Sequence, residues 1–257
     1  MKILLTGSTG QLGKELIKSK PNYIELIITN RQILNLENKE DCYNAVKNIK
    51  PDWVINSGAY TNVEQAENNE SLAFNINCEA PLSFAKAIRD FGGKLLHLST
   101  DFVFDGHQNK PYSPKDNRNP INIYGKSKSQ GEILIEKTLQ NSHKYIILRT
   151  SWLMGSLGKN FATKILQLLQ EKETISVVND QYGSPTSTKT LSKVIWKIIE
   201  FDNIKQNTII PNILHWSDSG VASWYDIAVE IKEICLELGI LKYDKLILPI
   251  SSCEYPT

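Results

Sequence analysis

The 257-residue chain is long enough for one large α/β domain, or for a large and a small domain that share a cleft. With 29 basic and 28 acidic residues its formal net charge is +1, which offers no electrostatic reason to expect binding to nucleic acid or to a membrane. The apolar runs are too short for a secretory signal or a membrane span, and the four cysteines form no paired motif, so we expect a cytoplasmic protein with reduced cysteines and no metal site.

Short apolar runs alternate with amphipathic ones over residues 1–150. The runs typical of strands are 2–6, 24–29, 53–56, 94–99 and 145–149. Helical spacing occurs over 11–20, 39–49, 71–91 and 126–139. This alternation predicts an α/β fold with a doubly wound, Rossmann-like parallel sheet. Between the strand at 94–99 and the helix at 126–139, residues 106–122 predict a long loop, which in a compact domain usually has a function.

The pattern changes after Thr150. Helical spacing over 160–171, 187–201 and 222–238 is separated by short, irregular runs at 174–178 and 212–215. We therefore predict a dinucleotide-binding domain over 1–150. Residues 151–257 should form mainly a smaller substrate-binding lobe, with a soft boundary and some segments returning to the main domain.

A glycine-rich turn is expected between the first strand and the first helix. Gly7, Gly10 and Gly13 permit a tight turn and a close backbone approach, and the helix N-terminus that follows can bind a pyrophosphate. A glycine-rich turn that binds no ligand could have the same sequence. The position of this one, directly after a first strand, favours dinucleotide binding.

The end of the second predicted strand bears on the choice of cofactor. The chain there is Thr29-Asn30-Arg31, and the first acidic residue is Glu37. A carboxylate at this point would bind the ribose 2′-hydroxyl of NAD, whereas Arg31 could bind the 2′-phosphate of NADP. Arg31 could also be an ordinary solvated arginine on a turn. We predict NADPH as the cofactor, with NADH also accepted.

Three residues are candidates for catalysis. Tyr124 and Lys128 lie four residues apart where a helix begins, so both face the same side, and an ammonium there would stabilise a phenolate and lower the pKa of the phenol. Thr100 ends the fourth strand, at the sheet edge where ligands bind. A surface Tyr-x-x-x-Lys often arises by chance, and β-branched Thr favours strand ends. The conjunction with the glycine turn favours a catalytic set of Thr100, Tyr124 and Lys128.

Nearly the whole chain resembles the dTDP-4-dehydrorhamnose reductases, a family of extended short-chain dehydrogenases. The resemblance rests on runs spread along the chain, among them the turn from Thr6 to Gly13, K-P-D-W-V-I-N from Lys50, A-Y-T-N-V-E from Ala59, S-T-D-F-V-F-D-G from Ser99, N-I-Y-G-K from Asn122, R-T-S-W from Arg149, G-K-N-F from Gly158, D-Q-Y-G-S-P-T from Asp180, S-W-Y from Ser223 and Y-P-T from Tyr255.

This resemblance implies reduction of the C4 ketone of dTDP-4-dehydro-L-rhamnose, with hydride from NAD(P)H and a proton from Tyr124. Thr100, Tyr124 and Lys128 match the family's catalytic residues. With the residues argued above, the expected cofactor contacts are Gly7, Gly10, Gln11, Leu12, Gly13, Asn30, Arg31, Asn35, Leu36, Ala59, Tyr60, Thr61, Tyr124 and Lys128. The residues expected to face the sugar are Thr100, Asp101 and Trp152.

The chain departs from the family in two places. Some members form a metal-bridged dimer through an acidic residue after G-x-P-T, but here no acid follows before Glu200, so a homodimer would lack that bridge. The family continues past Y-P-T into an arginine-containing segment, so we expect the substrate lobe to be incomplete at its C-terminus.

Several residues have an alternative structural role, and the chain has alternative functions. Trp152 could simply pack a core, Asn160 could cap a helix, Asp180–Gly183 could be a plain turn, and none of the four histidines is assigned a role. The chain could be another nucleotide-sugar reductase or epimerase; a dehydratase would have Asp-Glu after its threonine, where this chain has Asp101-Phe102. A non-catalytic regulatory member is the other alternative, and the intact catalytic set argues against it.

Overall fold

A computed structural model describes residues 1–204 and 210–255, so Pro256 and Thr257 of the Y-P-T run lie outside the described residues. The chain forms two compact units. One consists of Met1–Thr150 with Leu191–Trp216, and the other of Ser151–Thr190 with Ser217–Thr257. The assignment of cofactor binding to residues 1–150 and of substrate binding to residues 151–257 stays a prediction.

The described residues form the following strands and helices, which alternate over the first 150 residues. The strands are β1 (Lys2–Thr6), β2 (Glu25–Ile28), β3 (Trp53–Asn56), β4 (Lys94–Thr100), β5 (Tyr145–Thr150), β6 (Leu153–Met154), β7 (Thr174–Val178), β8 (Tyr182–Gly183), β9 (Thr186–Ser187), β10 (Ile213–Trp216), β11 (Ala222–Ser223) and β12 (Leu246–Ile250). The helices are α1 (Gln11–Lys18), α2 (Lys39–Ile49), α3 (Val63–Asn68), α4 (Glu70–Phe74), α5 (Ala80–Phe91), α6 (Ile123–Thr138), α7 (Phe161–Glu171), α8 (Thr188–Ile204) and α9 (Trp224–Glu237).

The first unit contains a six-stranded parallel sheet in the order β10-β5-β4-β3-β1-β2. The predicted doubly wound, Rossmann-like sheet is therefore confirmed. The chain leaves β1 to one side for β2 and then crosses to the other side for β3, which makes the end of β1 the switch point where such sheets bind ligands. The 212–215 run, predicted as irregular, contributes an edge strand because it pairs with β5 through Ile213 and Ile147.

The central strands are mostly apolar and almost completely buried, as expected for a parallel sheet with helices on both faces. All four residues of β3 are buried. Leu4, Val54 and Leu95 are neighbours in register and belong to one core cluster with Phe84 of α5, and all four are fully buried. Each such aliphatic side chain stabilises the fold by roughly 1.5–3 kcal/mol.

The helix predicted over 71–91 is interrupted. Helices α4 and α5 are joined by a π-helical turn at Asn75–Glu79, so the axis continues with one wider turn. Pro81 explains the interruption, since it has no N–H to donate to the Asn77 carbonyl one turn earlier. Gly131 of α6 packs against that carbonyl, and a Cβ there would lie 2.3 Å from the oxygen. The turn therefore brings α6 close to the backbone of Asn77.

The second unit has a separate apolar core between α7, α9 and the parallel pair β7 and β12. Its buried residues include Leu169, Ile175, Ala228 and Ile247. Asn160 caps α7 by accepting a hydrogen bond from the Thr163 N–H at 3.0 Å, which is the plain capping role left open above. None of the described helices combines the length and the hydropathy that a bilayer-spanning helix needs.

Candidate active site

The glycine-rich turn between β1 and α1 is too tight for side chains at two positions. Gly7 has a φ of 70°, and a Cβ on it would lie 2.5 Å from the Gly58 nitrogen. A Cβ on Gly13 would lie 2.2 Å from the Gly7 oxygen. Gly10 caps α1 without a side-chain hydrogen bond, and the first turn, which begins with Gln11 and Leu12, contains no acidic residue. The turn therefore fits a pyrophosphate at a helix N-terminus, where the helix dipole favours an anion.

The second strand leads back to this turn. The Thr29 N–H and hydroxyl both donate to the Leu5 carbonyl, which holds Asn30 beside the end of β1. The Asn30 side chain accepts from the backbone N–H groups of Gln32 and Ile33 at 2.9 and 3.1 Å, so it is engaged in its own turn.

Arg31 is exposed and forms an ion pair with Glu37, the carboxylate that the sequence placed six residues away. Two nearby predicted cofactor contacts follow in the same loop. Leu36 packs against Gly58, which borders Gly7 of the glycine-rich turn, since a Cβ on Gly58 would lie 2.5 Å from Leu36 Cδ1 and 3.3 Å from the Gly7 nitrogen. Asn35 accepts from the Glu37 N–H at 3.2 Å and so shapes the loop that presents the acid.

The predicted cofactor segment Ala59-Tyr60-Thr61 is held in place by a residue that sequence reasoning missed. Asn77 accepts from the Tyr60 N–H at 2.9 Å and donates to the Tyr60 carbonyl at 3.0 Å. The same amide nitrogen donates to the Ser127 hydroxyl at 3.0 Å. Asn77 thus ties this segment to α6, one residue before Lys128. The only signal in the sequence was a polar side chain inside an apolar helical pattern.

Helix α6 carries Tyr124 to the end of β4. Asn122 caps the helix by accepting from the Gly125 N–H at 2.7 Å, and a Cβ on Gly125 would lie 2.2 Å from the Phe102 carbonyl, so this contact requires glycine. Tyr124 meets the ring of Phe102 edge-on at 5.5 Å between centroids. Tyr124 is half-buried as a whole residue, and the desolvation of its phenol raises the pKa to about 12, although a hydrogen bond with Thr100 acts in the opposite direction.

Thr100 and Asp101 lie beside that phenol. The Thr100 hydroxyl donates to Asp101 Oδ1 at 3.0 Å and accepts from the Phe102 N–H at 3.2 Å. Burial raises the pKa of Asp101 to about 6, and the nearby carboxylate also contributes to the raised pKa of Tyr124. Thr100, Asp101 and Tyr124 therefore form one cluster at the carboxyl edge of the sheet.

Lys128 is buried one turn further along α6. Its side-chain nitrogen Nζ donates to the Leu98 carbonyl at 2.5 Å and lies 3.3 Å from His97 Nε2. Burial lowers the pKa of Lys128 to about 8, against the opposing effect of Glu132.

The expectation that Lys128 lowers the pKa of Tyr124 is not met by these contacts. Lys128 is directed at β4, and desolvation dominates the pKa of the phenol. A raised pKa keeps Tyr124 protonated at neutral pH, which is the state that a proton donor requires.

A buried ion cluster lies behind the candidate catalytic residues and was not predicted. Glu132 of α6 forms a salt bridge with Arg149 of β5 at 2.6 Å and with Arg118 from the 106–122 loop. Arg149 Nη1 lies 3.2 Å from His215 Nε2, and the guanidinium lies over the ring of Phe104. The cluster connects α6, two strands and the loop, so it fixes the helix that carries Tyr124 and Lys128.

Trp152 belongs to the second unit and has a positive φ of 42°. Its ring stacks on Trp224 with centroids 3.5 Å apart and planes at 9°. A Cβ on Gly183 would lie 2.5 Å from Trp152 Cε2, so glycine makes room for the ring. Trp152 thus has the packing role left open above, and its contact with a sugar stays a prediction.

Within residues 1–204 and 210–255, no three His, Cys, Asp or Glu side chains are grouped so that they could hold a metal ion. The four cysteines of the described chain are free, with Cys42, Cys78 and Cys235 buried and Cys253 exposed.

Comparison with known proteins gives one consistent result. The family described as "RmlD substrate binding domain" matches residues 1–257. The chain is 36% identical to a dTDP-4-dehydrorhamnose reductase of Aggregatibacter actinomycetemcomitans, over 100% of this chain and 86% of the relative. It is 37% identical to the spore coat polysaccharide biosynthesis protein SpsK of Bacillus subtilis, over 99% of this chain and 84% of the relative.

Two solved structures are similar along almost the whole chain. A dTDP-4-dehydrorhamnose reductase of Clostridium acetobutylicum has a TM-score of 0.88 and 37% identity, over 100% of this chain and 86% of that one. A dTDP-4-dehydrorhamnose reductase of Bacillus anthracis, solved in complex with NADP, has a TM-score of 0.88 and 35% identity, over 98% of this chain and 85% of that one.

Proposed function

Because the chain belongs to the RmlD substrate binding domain family, we propose that it reduces the C4 ketone of dTDP-4-dehydro-L-rhamnose to dTDP-L-rhamnose. Relatives named dTDP-4-dehydrorhamnose reductase, 36% and 34% identical over the full chain, support this activity. The cofactor is NADPH, in keeping with the NADP bound to the relative from Bacillus anthracis. Acceptance of NADH stays a prediction.

The observation that carries the proposal is the cluster of Thr100, Asp101 and Tyr124 at the end of β4. A protonated phenol beside a hydroxyl, at the edge where doubly wound sheets bind ligands, suits the protonation of a carbonyl oxygen. The glycine-rich turn lies at the end of β1 in the same sheet. A cofactor bound there and a ketone bound beside Tyr124 would use one edge of one sheet.

The cofactor fits the residues present. Gly7, Gly10 and Gly13 leave room for a pyrophosphate against the N-terminus of α1, and Arg31 would bind the 2′-phosphate. Leu36 and the Ala59–Thr61 segment, held by Asn77, would line the adenine and nicotinamide sides. When bound, NADPH supplies the hydride that reaches C4 of the sugar.

The side chains would orient the ketone, donate the proton and stabilise the charge that develops. The Thr100 hydroxyl would turn its proton from Asp101 to the ketone oxygen and so orient the ketone, and Tyr124 delivers its proton to that oxygen as it becomes an alkoxide. An alkoxide is a stronger base than a phenolate, so this transfer is favourable even for a phenol with a raised pKa. Lys128, one turn after Tyr124 on α6, is proposed to stabilise the phenolate left behind when its amine is charged, and burial lowers the pKa of this amine to about 8.

Substrate contacts are proposed for Thr100, Asp101 and Trp152. Asp101 accepts from the Thr100 hydroxyl when no ketone is bound, and it presents a carboxylate oxygen where sugar hydroxyls would bind. The flat face of Trp152 suits a sugar ring or a base, and its stack with Trp224 keeps it rigid. In this proposal residues 1–150 bind the cofactor, and residues after 150 contribute mainly to sugar binding.

We also propose that the protein works in the cytoplasm, as a homodimer without a bridging metal. The free cysteines support a reducing compartment. The absence of an acid between the G-S-P-T run and Glu200 supports assembly without metal.

The direct test is to incubate the purified protein with dTDP-4-dehydro-L-rhamnose and NADPH, to follow loss of the reduced nicotinamide, and to identify the product sugar by NMR. We expect stoichiometric NADPH oxidation and dTDP-L-rhamnose as product. Matched reactions with 4-keto sugars carried on GDP or UDP test the alternative of a different nucleotide-sugar reductase. NADPH binding without turnover of any 4-keto sugar would contradict the proposal and favour a non-catalytic role.

A further inference from the structure

Four polar side chains form a buried line from the glycine-rich turn to Lys128. The Thr6 hydroxyl donates to Asn56 Oδ1 at 2.6 Å, and Asn56 Nδ2 lies 3.0 Å from His97 Nδ1. His97 Nε2 in turn lies 3.3 Å from Lys128 Nζ. The four residues are exposed by 1%, 0%, 0% and 2%, respectively. We call this line the Thr6–Lys128 relay.

The sheet register produces the relay. Thr6 pairs with Asn56 between β1 and β3, and Asn56 pairs with His97 between β3 and β4. Residues paired in register on parallel strands point to the same face, so the three side chains lie side by side. Helix α6 covers that face and adds Lys128 at the end. A buried polar line of this kind is stable only if its members satisfy one another.

The hydrogen bonds give the relay a direction. Thr6 has one hydroxyl proton, which goes to Asn56 Oδ1, while its oxygen accepts from the Gly58 N–H at 3.3 Å. The Asn56 amide therefore presents its N–H₂ group to His97 Nδ1. A neutral imidazole has one donor nitrogen and one acceptor nitrogen. Since Nδ1 accepts, Nε2 carries the proton and points at Lys128.

We propose that Asn56 and His97 are positioning residues for Lys128: Asn56 sets the tautomer of His97, and the His97 Nε2–H donates to the Lys128 amine. The amine can then accept from His97 while it donates to the Leu98 carbonyl at 2.5 Å. An ammonium has no lone pair and would face an N–H of like polarity. His97 therefore favours the uncharged amine and sets how readily Lys128 exchanges its proton. Any effect of this proton exchange on the reaction rests on the proposed function.

The charged and titratable groups around Lys128 act in opposite directions on its charge. On α6 the neighbours are Tyr124 and Glu132, and Glu132 favours the charged amine. On β4 the neighbour is His97, whose pKa lies well below its usual value because the ring is buried and, in addition, faces Lys128. The ring is therefore neutral at working pH, as the hydrogen-bond argument requires.

The tautomer can be measured in the wild-type protein, with one variant used only to assign the signals. Protein labelled with ¹⁵N in its histidine rings gives separate NMR signals for Nδ1 and Nε2, and the signals of His97 are assigned by their loss in a His97→Gln variant. We expect His97 to be neutral, with the proton on Nε2, across the neutral pH range. A neutral ring with its proton on Nδ1 would overturn the proposal, because Nε2 would then accept from Lys128.

A matched pair of substitutions tests the effect on Lys128. The amide of His97→Gln reaches the position of Nε2 and can still donate to Lys128, whereas the shorter His97→Asn replaces Nδ1 and keeps only the contact with Asn56. Lys128 is titrated by NMR of labelled lysine ε-carbons, with its signal assigned by its loss in Lys128→Arg. We expect His97→Asn to raise the pH of the Lys128 transition by about half to one pH unit, the effect of one net hydrogen bond, and His97→Gln to change it much less.

The controls separate this role from simple packing and from the proposed activity. Thermal unfolding and NADPH binding report whether each variant is folded. Identical Lys128 titrations in the folded wild-type, Asn and Gln proteins would show that the relay is packing alone. If His97→Asn does not fold, the tautomer measurement still decides. Neither experiment uses a sugar, so a failure of turnover would refute the proposed function and leave the relay standing.

Discussion

Glu132 and Arg149 form an ion pair that is almost completely closed off from solvent. Their side chains are 0% and 3% exposed, and the Arg149 Nε and Nη2 groups donate to the carboxylate at 3.0 and 2.6 Å. Arg118 adds a second guanidinium to the same carboxylate. Glu132 lies one turn after Lys128, and Arg149 directly precedes the end of β5. The pair therefore fastens the helix that carries Tyr124 and Lys128 to the sheet.

Removal of this carboxylate should destabilise the protein strongly. Glu132→Ala leaves the Arg149 guanidinium without its counter-ion in a dry site, whereas Arg118 keeps its ion pair with Glu136, so we expect the free energy of unfolding to fall by about 3–5 kcal/mol. Urea unfolding measures the change. Glu200→Ala is the matched control, because it breaks the exposed pair with Lys197 and should cost about 1 kcal/mol or less. Equal losses in the two variants would contradict the assignment.

The same pair should make stability depend on pH in a known direction. Burial disfavours the charge on Glu132, but Arg149 and Arg118 outweigh it, so the pKa of Glu132 is lowered from its usual value of 4.5. A lowered pKa in the folded state contributes stability that is fully present above 4.5 and is lost as the pH falls through the folded-state pKa. As the pH is lowered from 7 into this acid range, the free energy of unfolding measured in urea should therefore fall more steeply for the wild type than for Glu132→Gln. Parallel curves would exclude the contribution.

Tyr124→Phe tests the proposed proton donor. The variant keeps the ring against Phe102 but loses the phenol, so turnover should fall by about 10² to 10⁴ while NADPH affinity changes little. Tyr43→Phe is a control of the same chemistry, since the Tyr43 hydroxyl donates to Asp90 at 2.8 Å, on an exposed surface away from the cluster. Single-turnover kinetics and NADPH titration measure both quantities. Undiminished turnover in Tyr124→Phe would exclude this role.

Arg31 and Glu37 should tune the choice between NADPH and NADH in opposite directions. Arg31→Asp removes a cation and adds repulsion to the 2′-phosphate, so the preference for NADPH should fall by about tenfold. Glu37→Gln releases Arg31 from its ion pair, so the same preference should rise. The ratio of kcat/KM for the two cofactors measures the effect. If this ratio changed in the same direction in both variants, Arg31 and Glu37 would not be responsible for recognising the 2′-phosphate.

Trp224 should affect sugar binding through Trp152. Trp224→Leu removes a stack that is worth about 0.5–1.5 kcal/mol beyond the area it buries, so the KM for the dTDP-sugar should rise by roughly 2- to 10-fold. NADPH affinity should stay unchanged. Trp216→Leu, in the edge strand β10, is the control for loss of an indole elsewhere. A normal KM in a folded Trp224→Leu variant would separate Trp152 from substrate binding.

Much of the fold could be predicted from local patterns. Alternating strand and helix periodicities indicate a doubly wound sheet because each pattern reports which side of an element is buried. The positions of Gly7 and Gly13 predict a tight turn because glycine adopts backbone conformations that other residues avoid. The spacing of Tyr124 and Lys128 places both on one side of α6 because a helix repeats every 3.6 residues. These inferences depend only on neighbours in the chain.

The partners of the site residues depended on tertiary structure. His97 has no motif around it, and it meets Asn56 and Lys128 only because strand register and the packing of α6 bring them together. Glu132 and Arg149 are 17 residues apart, and nothing in the local sequence distinguishes them from ordinary surface charges. Only the tertiary structure shows that they are buried together. Desolvation, which sets the directions of the Tyr124 and Lys128 pKa shifts, depends on the atoms that surround a group. Those atoms come from distant parts of the chain, so no local pattern could supply the direction.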